Sequence, residues 1–195
     1  MNPSPASPAT TVEPLTEAAC PDFFRYLDLH RAENGNDEVG YFMPQSREAS
    51  RQPYDRAEAF QAGLGVPVGS PGWRRAWIAR KAGGGIAGHV DLRAYPMRHA
   101  EHRCLLGLGV ARGHRRTGLG ARLMATAEAW ARITPPLEWI DLEVVATNLP
   151  AIRLYHRCGF VTIGEMPEMF RIDGGTYSFT TMTKRLRVAG GGGAS

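Results

Sequence analysis

The feature that most constrains this chain is a short glycine-bearing segment, Arg115-Arg116-Thr117-Gly118-Leu119-Gly120. An apolar run from Leu105 to Val110 precedes it, and a helical pattern from Ala121 to Ile133 follows it. This order predicts a strand, a tight loop and the start of a helix. Glycine tolerates positive φ and has no Cβ to obstruct a ligand. The first amides of a helix lack intrahelical acceptors and lie at the positive end of its dipole, so the segment is suited to bind a phosphate group.

The spacing of this segment excludes two common phosphate-binding motifs. No Lys-Ser or Lys-Thr follows the last glycine, as a nucleotide P-loop requires. Gly118 and Gly120 have no third glycine three residues later, so the dinucleotide fingerprint is absent as well. Two interpretations remain. The segment binds the phosphates of another cofactor, with charge added by Arg115 and Arg116, or it is a turn that needs glycine only for its geometry.

Length and composition predict a single globular domain. The chain has 195 residues, of which 43% are hydrophobic, and this is enough for one packed core. No apolar stretch approaches the roughly 20 residues of a membrane span, and no signal-peptide pattern is visible. Three widely spaced cysteines, Cys20, Cys104 and Cys158, are typical of free thiols in a reducing compartment. We therefore expect a cytoplasmic protein with no metal centre and no membrane contact.

The charge of the chain predicts a local anion site and no nucleic-acid partner. The formal net charge is +4, but the arginines are scattered and acidic residues accompany them through most of the chain. Residues 1–9 are rich in Pro, Ser and Ala and are predicted to be a disordered tail, and residues 188–195 a flexible glycine-rich tail. The domain is expected to occupy residues 10–187.

Hydrophobic periodicity predicts the element order β-α-α-β-β-β-α-β-α-β-β. Helical connections join the strand that ends at Val110 to the apolar strand Trp139–Val145, which predicts that these two strands pair in parallel. The fold class is therefore a mixed α/β sheet flanked by helices. The helix after the glycine segment is predicted to bury one face, made of Leu119, Leu123, Ala127, Trp130 and Ile133.

Three motifs, in this order, resemble the GNAT superfamily of N-acetyltransferases. The first is the R-x-x-G-x-G segment from Arg115 to Gly120, and the second is the N-x-x-A-x-x-x-Y pattern from Asn148 to Tyr155. The third is the ending Cys158-Gly159-Phe160, which completes a Y-x-x-x-G-F pattern. The resemblance covers roughly residues 11–187 and is strongest between Leu105 and Phe160.

This resemblance implies a partly splayed sheet and acetyl-CoA as the acetyl donor. The pyrophosphate of the donor is expected on the loop amides, its pantetheine arm along the end of the preceding strand, and its acetyl group where that strand parts from Trp139–Val145. A backbone amide of Gly109 or Val110 is expected to stabilise the oxyanion. The residues implied in cofactor binding are Leu108, Gly109, Val110, Arg115, Arg116, Thr117, Gly118, Leu119, Gly120, Ala121 and Asn148.

Tyr155 is the candidate general acid that protonates the departing thiolate. A phenol has a pKa of about 10, close to that of a thiol, so it can return a proton to sulfur. The alternative is a tyrosine that packs against the sheet with its hydroxyl bonded elsewhere. Asn148 has a similar double interpretation, since it can cap the helix and also contact the cofactor.

The general base is the least determined part of the predicted site. Many GNAT proteins place a Glu or His where this chain has Cys104, a poor base when buried. Glu143 and His102 are the two candidates we select. Further candidates are Glu101 on the same predicted strand as His102, and His89 and Asp91 on the neighbouring strand. A water chain to solvent is another alternative.

The expected activity is acetyl transfer to a primary amine of a small molecule, or of a protein N-terminus or lysine. A non-catalytic acyl-CoA sensor is the alternative, favoured by Cys104 and opposed by Tyr155. The loop at residues 34–50, with its apolar stretch Tyr41–Pro44, and the segment Met166–Phe170 are expected to wall the acceptor pocket. A homodimer is one assembly to expect, because members of this superfamily often dimerise through sheet edges or helices.

Overall fold

The computed structural model describes residues 10–186. Both predicted tails, and residue 187 at the end of the predicted domain, lie outside this range. Within it, one sheet of seven strands is combined with α-helices and short 3-10 turns. The elements are β1 (Thr10–Pro14), α1 (Cys20–Arg31), α2 (Arg47–Arg51), α3 (Ala57–Gly65), β2 (Arg74–Lys81), β3 (Ile86–Ala94), β4 (Arg103–Val110), α4 (Leu119–Arg132), β5 (Trp139–Val145), α5 (Leu149–Arg157), β6 (Val161–Ile172) and β7 (Gly175–Arg185).

The sheet has the strand order β1-β2-β3-β4-β5-β7-β6. Every neighbouring pair is antiparallel except β4 and β5, which are parallel. The predicted parallel pairing is therefore confirmed, and so is the mixed α/β class. The α4 helix supplies the crossover between the two strands, as parallel neighbours require.

The parallel pair is short and then parts. Arg103, Cys104 and Leu105 pair with Trp139, Ile140 and Asp141, and no later residues of the two strands are partners. Beyond this point β4 continues to Val110 while β5 pairs with β7 along its whole length. The result is a V-shaped opening in the middle of the sheet, which confirms the predicted splay.

Alternation along the strands sends side chains to two different faces. On one face, Val90 and Leu92 of β3 and Leu106 of β4 join α4 and α5 in the larger core cluster. The opposite face of β2 packs against α1 and α3 through a second cluster that includes Phe23, Phe60 and Ile78. We call this opposite side the α1 face.

The structure corrects three details of the predicted elements. Ile133, expected in the buried face of α4, is 80% exposed because the helix ends before it, and Met124 and Ala131 are buried instead. The predicted helix at residues 54–63 is α3, shifted by a few residues. The loop at residues 34–50 contains the start of a short helix, α2, capped by the Ser46 side chain.

The side chain of Asn34 organises this loop. Its Oδ1 accepts hydrogen bonds from the amides of Phe42 and Met43, each at 2.9 Å. Its Nδ2 donates to the carbonyl oxygen of Gln45 at 2.9 Å and to Oγ of Ser50 at 3.0 Å. Because Asn34 is 2% exposed, one buried amide group satisfies several loop groups that secondary structure does not pair.

A buried ion pair closes the narrow end of the V. Asp141 of β5, which is 2% exposed, accepts from Nε of Arg103 at 2.7 Å and from its NH2 at 2.5 Å. The hydroxyl of Thr183 on β7 donates to the same carboxylate at 2.5 Å. These contacts join β4, β5 and β7 where the strands still pair, so the opening starts from a fixed point.

Replacing Asp141 by asparagine tests this closure. Asp141→Asn leaves the Arg103 guanidinium without a buried counter-charge, and we expect it to lower the free energy of unfolding by about 3 kcal/mol. The control is Glu13→Gln, which removes the more exposed Glu13–Arg80 pair and should cost under about 1 kcal/mol. Urea unfolding of both variants measures the difference, and equal small losses would contradict the assignment.

Candidate functional site

The glycine segment forms a cradle of free backbone amides at the N-terminus of α4. Gly118 is the N-cap of the helix, with φ of 83° in the left-handed region, and Arg116 before it has φ of 63°. Among the described residues, no protein acceptor receives the amide hydrogens of residues 116 to 121, and Arg122 is the first to bond back, to the carbonyl oxygen of Gly118 at 3.1 Å. Such a run of amides fits an anionic group.

The two arginines of the segment have different surroundings. Arg115 donates from Nε to the carbonyl oxygen of Val110 at 2.9 Å and forms an ion pair with Glu33 through NH2. Arg116 is exposed beside the amides and forms no ion pair with the described residues. The structure therefore gives Arg115 a role in holding the end of β4 to the loop after α1, and leaves Arg116 as the charge available to a phosphate.

Gly120 brings the three motifs together. A Cβ on Gly120 would lie 2.9 Å from Cδ2 of Leu154 on α5, 3.7 Å from Cγ2 of Val110 and 3.9 Å from Cδ2 of Leu108. The first turn of α4 therefore contacts both the end of β4 and the helix that carries Tyr155. This close approach needs glycine because any side chain would press against Leu154.

The free edge of β4 is defined by strand alternation. The amide of Ala111 donates to the carbonyl oxygen of Ala87 next to β3, at 2.9 Å. Backbone groups of every second residue point to the same side, so those of Gly109 also face β3, whereas those of Leu108 and Val110 face the V. Of the two amides predicted to stabilise an oxyanion, only that of Val110 is therefore directed at the opening.

Tyr155 lies on α5, and its hydroxyl is available to a ligand. The residue is 8% exposed, and its hydroxyl has no hydrogen-bond partner among the described residues. Since the only buried side-chain polar atom without a partner in residues 10–186 belongs to His30, the Tyr155 hydroxyl keeps contact with solvent. Burial raises the pKa of Tyr155 to about 12, and the nearby Cys158 adds to the effect. The phenol is therefore protonated at neutral pH.

Asn148 caps the helix that carries Tyr155. Its side-chain oxygen accepts from the amide of Ala151 at 3.4 Å, and Pro150 occupies the first turn. Gly159 follows the helix with φ of 85°, as expected for a left-handed residue that ends a helix. These local signals fix where α5 begins and ends.

The two predicted bases lie at very different places. Glu143 is exposed on the α1 face of β5, beyond the last residue that pairs with β4. His102 directly precedes β4, which is eight residues long. It therefore lies about 26 Å from Val110 along the strand. The structure therefore brings Glu143 to the opening but places His102 at the other end of the sheet. Burial raises the pKa of Cys104 to about 12, which makes its thiol unsuitable as a base.

Two glycines of β4 leave room on the α1 face for side chains of other elements, an arrangement that sequence reasoning missed. A Cβ on Gly107 would lie 2.2 Å from Oδ2 of Asp91, and one on Gly109 would lie 2.4 Å from Cε1 of His89 and 2.8 Å from Nε2 of His30. Side chains from β3 and α1 therefore fill the space that these glycines leave. The signal available in the sequence was a pair of glycines at alternate positions inside an apolar strand, which marks close approach of other groups.

Tyr26, His30 and His89 form a buried cluster on Gly109. The Tyr26 hydroxyl donates to the carbonyl oxygen of Gly109 and lies beside Nδ1 of His89, with both distances 3.2 Å. Nδ1 of His30 is buried without a partner, which costs about 1–3 kcal/mol. Burial lowers the pKa of His30 to about 3, helped by His89 and Arg115. Burial likewise lowers the pKa of His89 to about 4, so both rings are neutral at neutral pH.

Aromatic side chains wall the α1 face of the opening. Tyr41 from the loop after α1 contacts Tyr177 of β7 with ring centroids 4.9 Å apart, and its hydroxyl donates to Asp173 at 2.5 Å. Phe170 of β6 contacts Phe179 of β7 edge to face at 5.0 Å. Tyr41 and Phe170, from the two segments predicted to wall the acceptor pocket, therefore both lie against β7.

Comparison with known proteins identifies the family. The model of the Acetyltransferase (GNAT) family matches residues 38–160. The chain therefore belongs to this family, an acetyl-CoA-dependent class of acyltransferases, and the predicted family and cofactor are confirmed. No curated protein sequence matches the chain.

Solved structures show the same fold at low sequence identity. The acetyltransferase of GNAT family from Streptococcus pneumoniae has a TM-score of 0.73 and 20% identity, over 91% of this chain and 99% of that chain. The structure of yncA from Salmonella typhimurium with its cofactor acetyl-CoA has a TM-score of 0.72 and 18% identity, over 96% and 99%. Spermidine N-acetyltransferase from Vibrio cholerae, in complex with CoA and spermine, has a TM-score of 0.67 and 20% identity, over 91% and 95%.

No helix in residues 10–186 is both long and apolar enough to cross a membrane. In the same range, no group of three or more His, Cys, Asp or Glu side chains could hold a metal ion.

The different surroundings of Arg115 and Arg116 lead to a test. We expect Arg116→Ala to weaken CoA binding about fivefold, which corresponds to about 1 kcal/mol, with unchanged thermal stability and a smaller effect at high salt. We expect Arg115→Ala to lower the melting temperature, because it removes the contacts to Val110 and Glu33. Calorimetric titration and thermal unfolding measure both. If Arg115→Ala weakens binding and leaves stability unchanged, Arg115 is a phosphate ligand, as the sequence predicted.

Proposed function

We propose that this protein transfers the acetyl group of acetyl-CoA to a primary amine by direct attack of the amine. The observation that supports the proposal is that the first turn of α4, which follows the free amides, contacts both the end of β4 and α5: a Cβ on Gly120 would lie 2.9 Å from Cδ2 of Leu154 and 3.7 Å from Cγ2 of Val110. The part of β4 that no longer pairs with β5 ends at Val110, and Tyr155 follows Leu154 on α5. An acyl transfer from a phosphate-bearing thioester requires an anion site, a free strand edge and a proton donor close together.

The donor-binding residues fit a phosphorylated cofactor. The amides from Arg116 to Ala121, with the charge of Arg116, would hold its pyrophosphate, and the edge of β4 at Leu108 and Val110 would bond its amide-containing arm as an added strand does. Asn148 would contact the cofactor from the start of α5. When bound, acetyl-CoA supplies the acetyl thioester whose carbonyl carbon is attacked.

Two groups of this chain act on the developing charges. The amide of Val110 would donate to the thioester oxygen as negative charge develops there. Tyr155 would give its proton to the departing sulfur. Its raised pKa does not oppose this step, because the burial that raises the pKa of the phenol acts in the same direction on a thiolate beside it.

The α1 face supports an amine acceptor with an apolar or aromatic part. Tyr41, Tyr177 and Phe179 provide apolar surface, and the exposed carboxylate of Glu143 attracts an ammonium group. The segment between α1 and α2, residues 32–46, carries three acids, and each lies in an ion pair, namely Glu33 with Arg115, Asp37 with Arg47, and Glu38 with Arg112. Little negative charge is left to select a polyamine, so we propose a monoamine of a small molecule or a peptide.

A non-catalytic acyl-CoA sensor is the second candidate. It is favoured by one observation, the buried thiol of Cys104 at the position where many family members carry a Glu or His. Such a protein would bind the donor through the same amides and show no turnover.

We also propose that the protein is cytoplasmic and forms a homodimer through its β6 edge. This strand has β7 on one side only, and Val161, Ile163 and Met166 on it are 58%, 60% and 41% exposed. An apolar edge of this kind is suited to pair with another strand.

The activity is tested by measuring thiol release from acetyl-CoA over a panel of amines, with donor binding measured in parallel. The panel contains amino acids, arylalkylamines, spermidine, and peptides with a free N-terminus or lysine. We expect turnover with an apolar or aromatic monoamine and a lower kcat/KM for spermidine. Donor binding with no turnover on any amine would favour the sensor, and absence of donor binding would contradict both candidates.

Tyr155→Phe tests the general acid. Removing the hydroxyl should lower kcat about 10²-fold or more and leave acetyl-CoA binding within about twofold, because the ring still packs against Phe160. The matched control is Tyr177→Phe, which also removes one hydroxyl from an aromatic contact in the same opening. Unchanged kcat across pH in Tyr155→Phe would remove this residue from the mechanism.

A further inference from the structure

We propose that His30, through Nε2, accepts the proton of the attacking amine, and that Tyr26 and His89 position the backbone of β4 beside it. The inference rests on the proposed acetyl transfer and names the proton acceptor that transfer requires. In this mechanism neither Glu143 nor His102, the bases expected from the sequence, accepts the proton of the amine.

The position of His30 carries the proposal. Nε2 would lie 2.8 Å from a Cβ on Gly109, so the ring touches β4 next to Val110, whose amide faces the opening. His30 comes from α1 and therefore approaches from the α1 face, where the aromatic walls and Glu143 define the acceptor side. A base must come within hydrogen-bond reach of the proton that it accepts, and His30 lies on the same face as the proposed acceptor.

The two ring nitrogens of His30 differ in accessibility. Nδ1 is buried and is the one such side-chain atom in residues 10–186 without a hydrogen-bond partner. Nε2 has no hydrogen-bond partner in this range either, but it is not fully buried, and it lies against Gly109 of β4. A buried nitrogen without a hydrogen-bond partner is unfavourable and needs an explanation. The explanation offered here is that the His30 ring is kept in this place because its other nitrogen, Nε2, has a function.

Tyr26 and His89 hold the strand against which His30 lies. The Tyr26 hydroxyl donates its one proton to the carbonyl oxygen of Gly109, so Nδ1 of His89 must donate to the Tyr26 oxygen. The rings of Tyr26 and His30 are stacked, with centroids 5.9 Å apart, and Phe42 covers His30 at 5.0 Å. Gly109, His30 and Tyr26 therefore pack together as one cluster.

The charged and titratable neighbours keep His30 neutral before the amine arrives. Tyr26 lies on the same helix, His89 faces the ring from β3, and Arg115 lies beyond the end of β4, where Glu33 pairs with it. Burial, His89 and Arg115 all lower the pKa of His30. A neutral imidazole has a free electron pair over the whole physiological pH range. Because the same surroundings make the ring a weak base, it takes the proton as the nitrogen–carbon bond forms, when the amine nitrogen becomes acidic.

The transfer balances with these groups. The nitrogen–carbon bond forms while the amine gives one proton to Nε2 of His30. The carbon–sulfur bond breaks, and the sulfur takes the proton of the Tyr155 hydroxyl. His30 then releases its proton to water and Tyr155 regains one, so the net products are an amide and free CoA.

Two substitutions separate a base from a packing residue. His30→Gln keeps a polar atom near Nε2 without a basic nitrogen, and His30→Phe removes the unpartnered Nδ1. With the best amine of the panel, we expect both to lower kcat at least 30-fold with KM for acetyl-CoA unchanged. We expect His30→Phe to have a melting temperature equal to or above that of the wild type. The control is exposed His99, whose His99→Gln variant should keep wild-type kcat.

A spectroscopic readout does not depend on turnover. In the CoA-bound protein, addition of the amine should shift the ¹⁵N resonance of His30 Nε2, assigned by its loss in His30→Gln. Absence of this shift, or a fall in melting temperature that parallels the fall in kcat, would assign His30 to packing alone. A wild-type kcat in His30→Gln together with a 100-fold loss in Glu143→Gln would return the base to Glu143. Absence of turnover by the wild type on every amine would overturn the proposed function and this inference together.

Discussion

The rest of this structure depends on how β4 and β5 are joined. The two strands pair over three residues on each side, and Asp141 binds Arg103 and Thr183 at that point. Beyond it, backbone groups on the edge of β4 have no strand to bond. A sheet interior that exposes unpaired amides is costly unless something else bonds them. The pairing therefore creates the opening and leaves the edge of β4 free beside it.

Close approach of backbone to side chains shapes both sides of that opening. A Cβ on Gly88 of β3 would lie only 3.0 Å from Cδ1 of Leu123 on α4, so the glycine allows this helix to pack closely on the strand. Gly120 likewise allows the first turn of α4 to contact Leu154. On the α1 face, Gly109 admits His30 and His89. The two sides of the opening are thus built in the same way, by the absence of a Cβ where two elements must touch.

The local motifs were predictable, and the roles of long side chains were not. The cradle around Gly118 and the cap at Asn148 are set by backbone conformation, which short-range patterns encode. Arg115 was expected to bind phosphate, yet it bonds Val110 and Glu33, because a flexible side chain takes whatever partner the fold brings near. His102 was expected to act as a base, but its distance along β4 from Val110 puts it at the other end of the sheet. His30 lies 79 positions before Gly109 in the numbering, and no periodic pattern links two such residues.

The sequence by itself determined the family, the fold class and the conformation of the glycine segment, since each rests on neighbours within a few residues or on the period of a helix or strand. Only the tertiary structure decided which groups meet on the α1 face of the sheet. The pairing of β3 with β4 and the packing of α1 on that face bring Tyr26, His30 and His89 to one glycine. Contacts of this kind depend on the relative placement of whole elements, which the packing of the complete core sets.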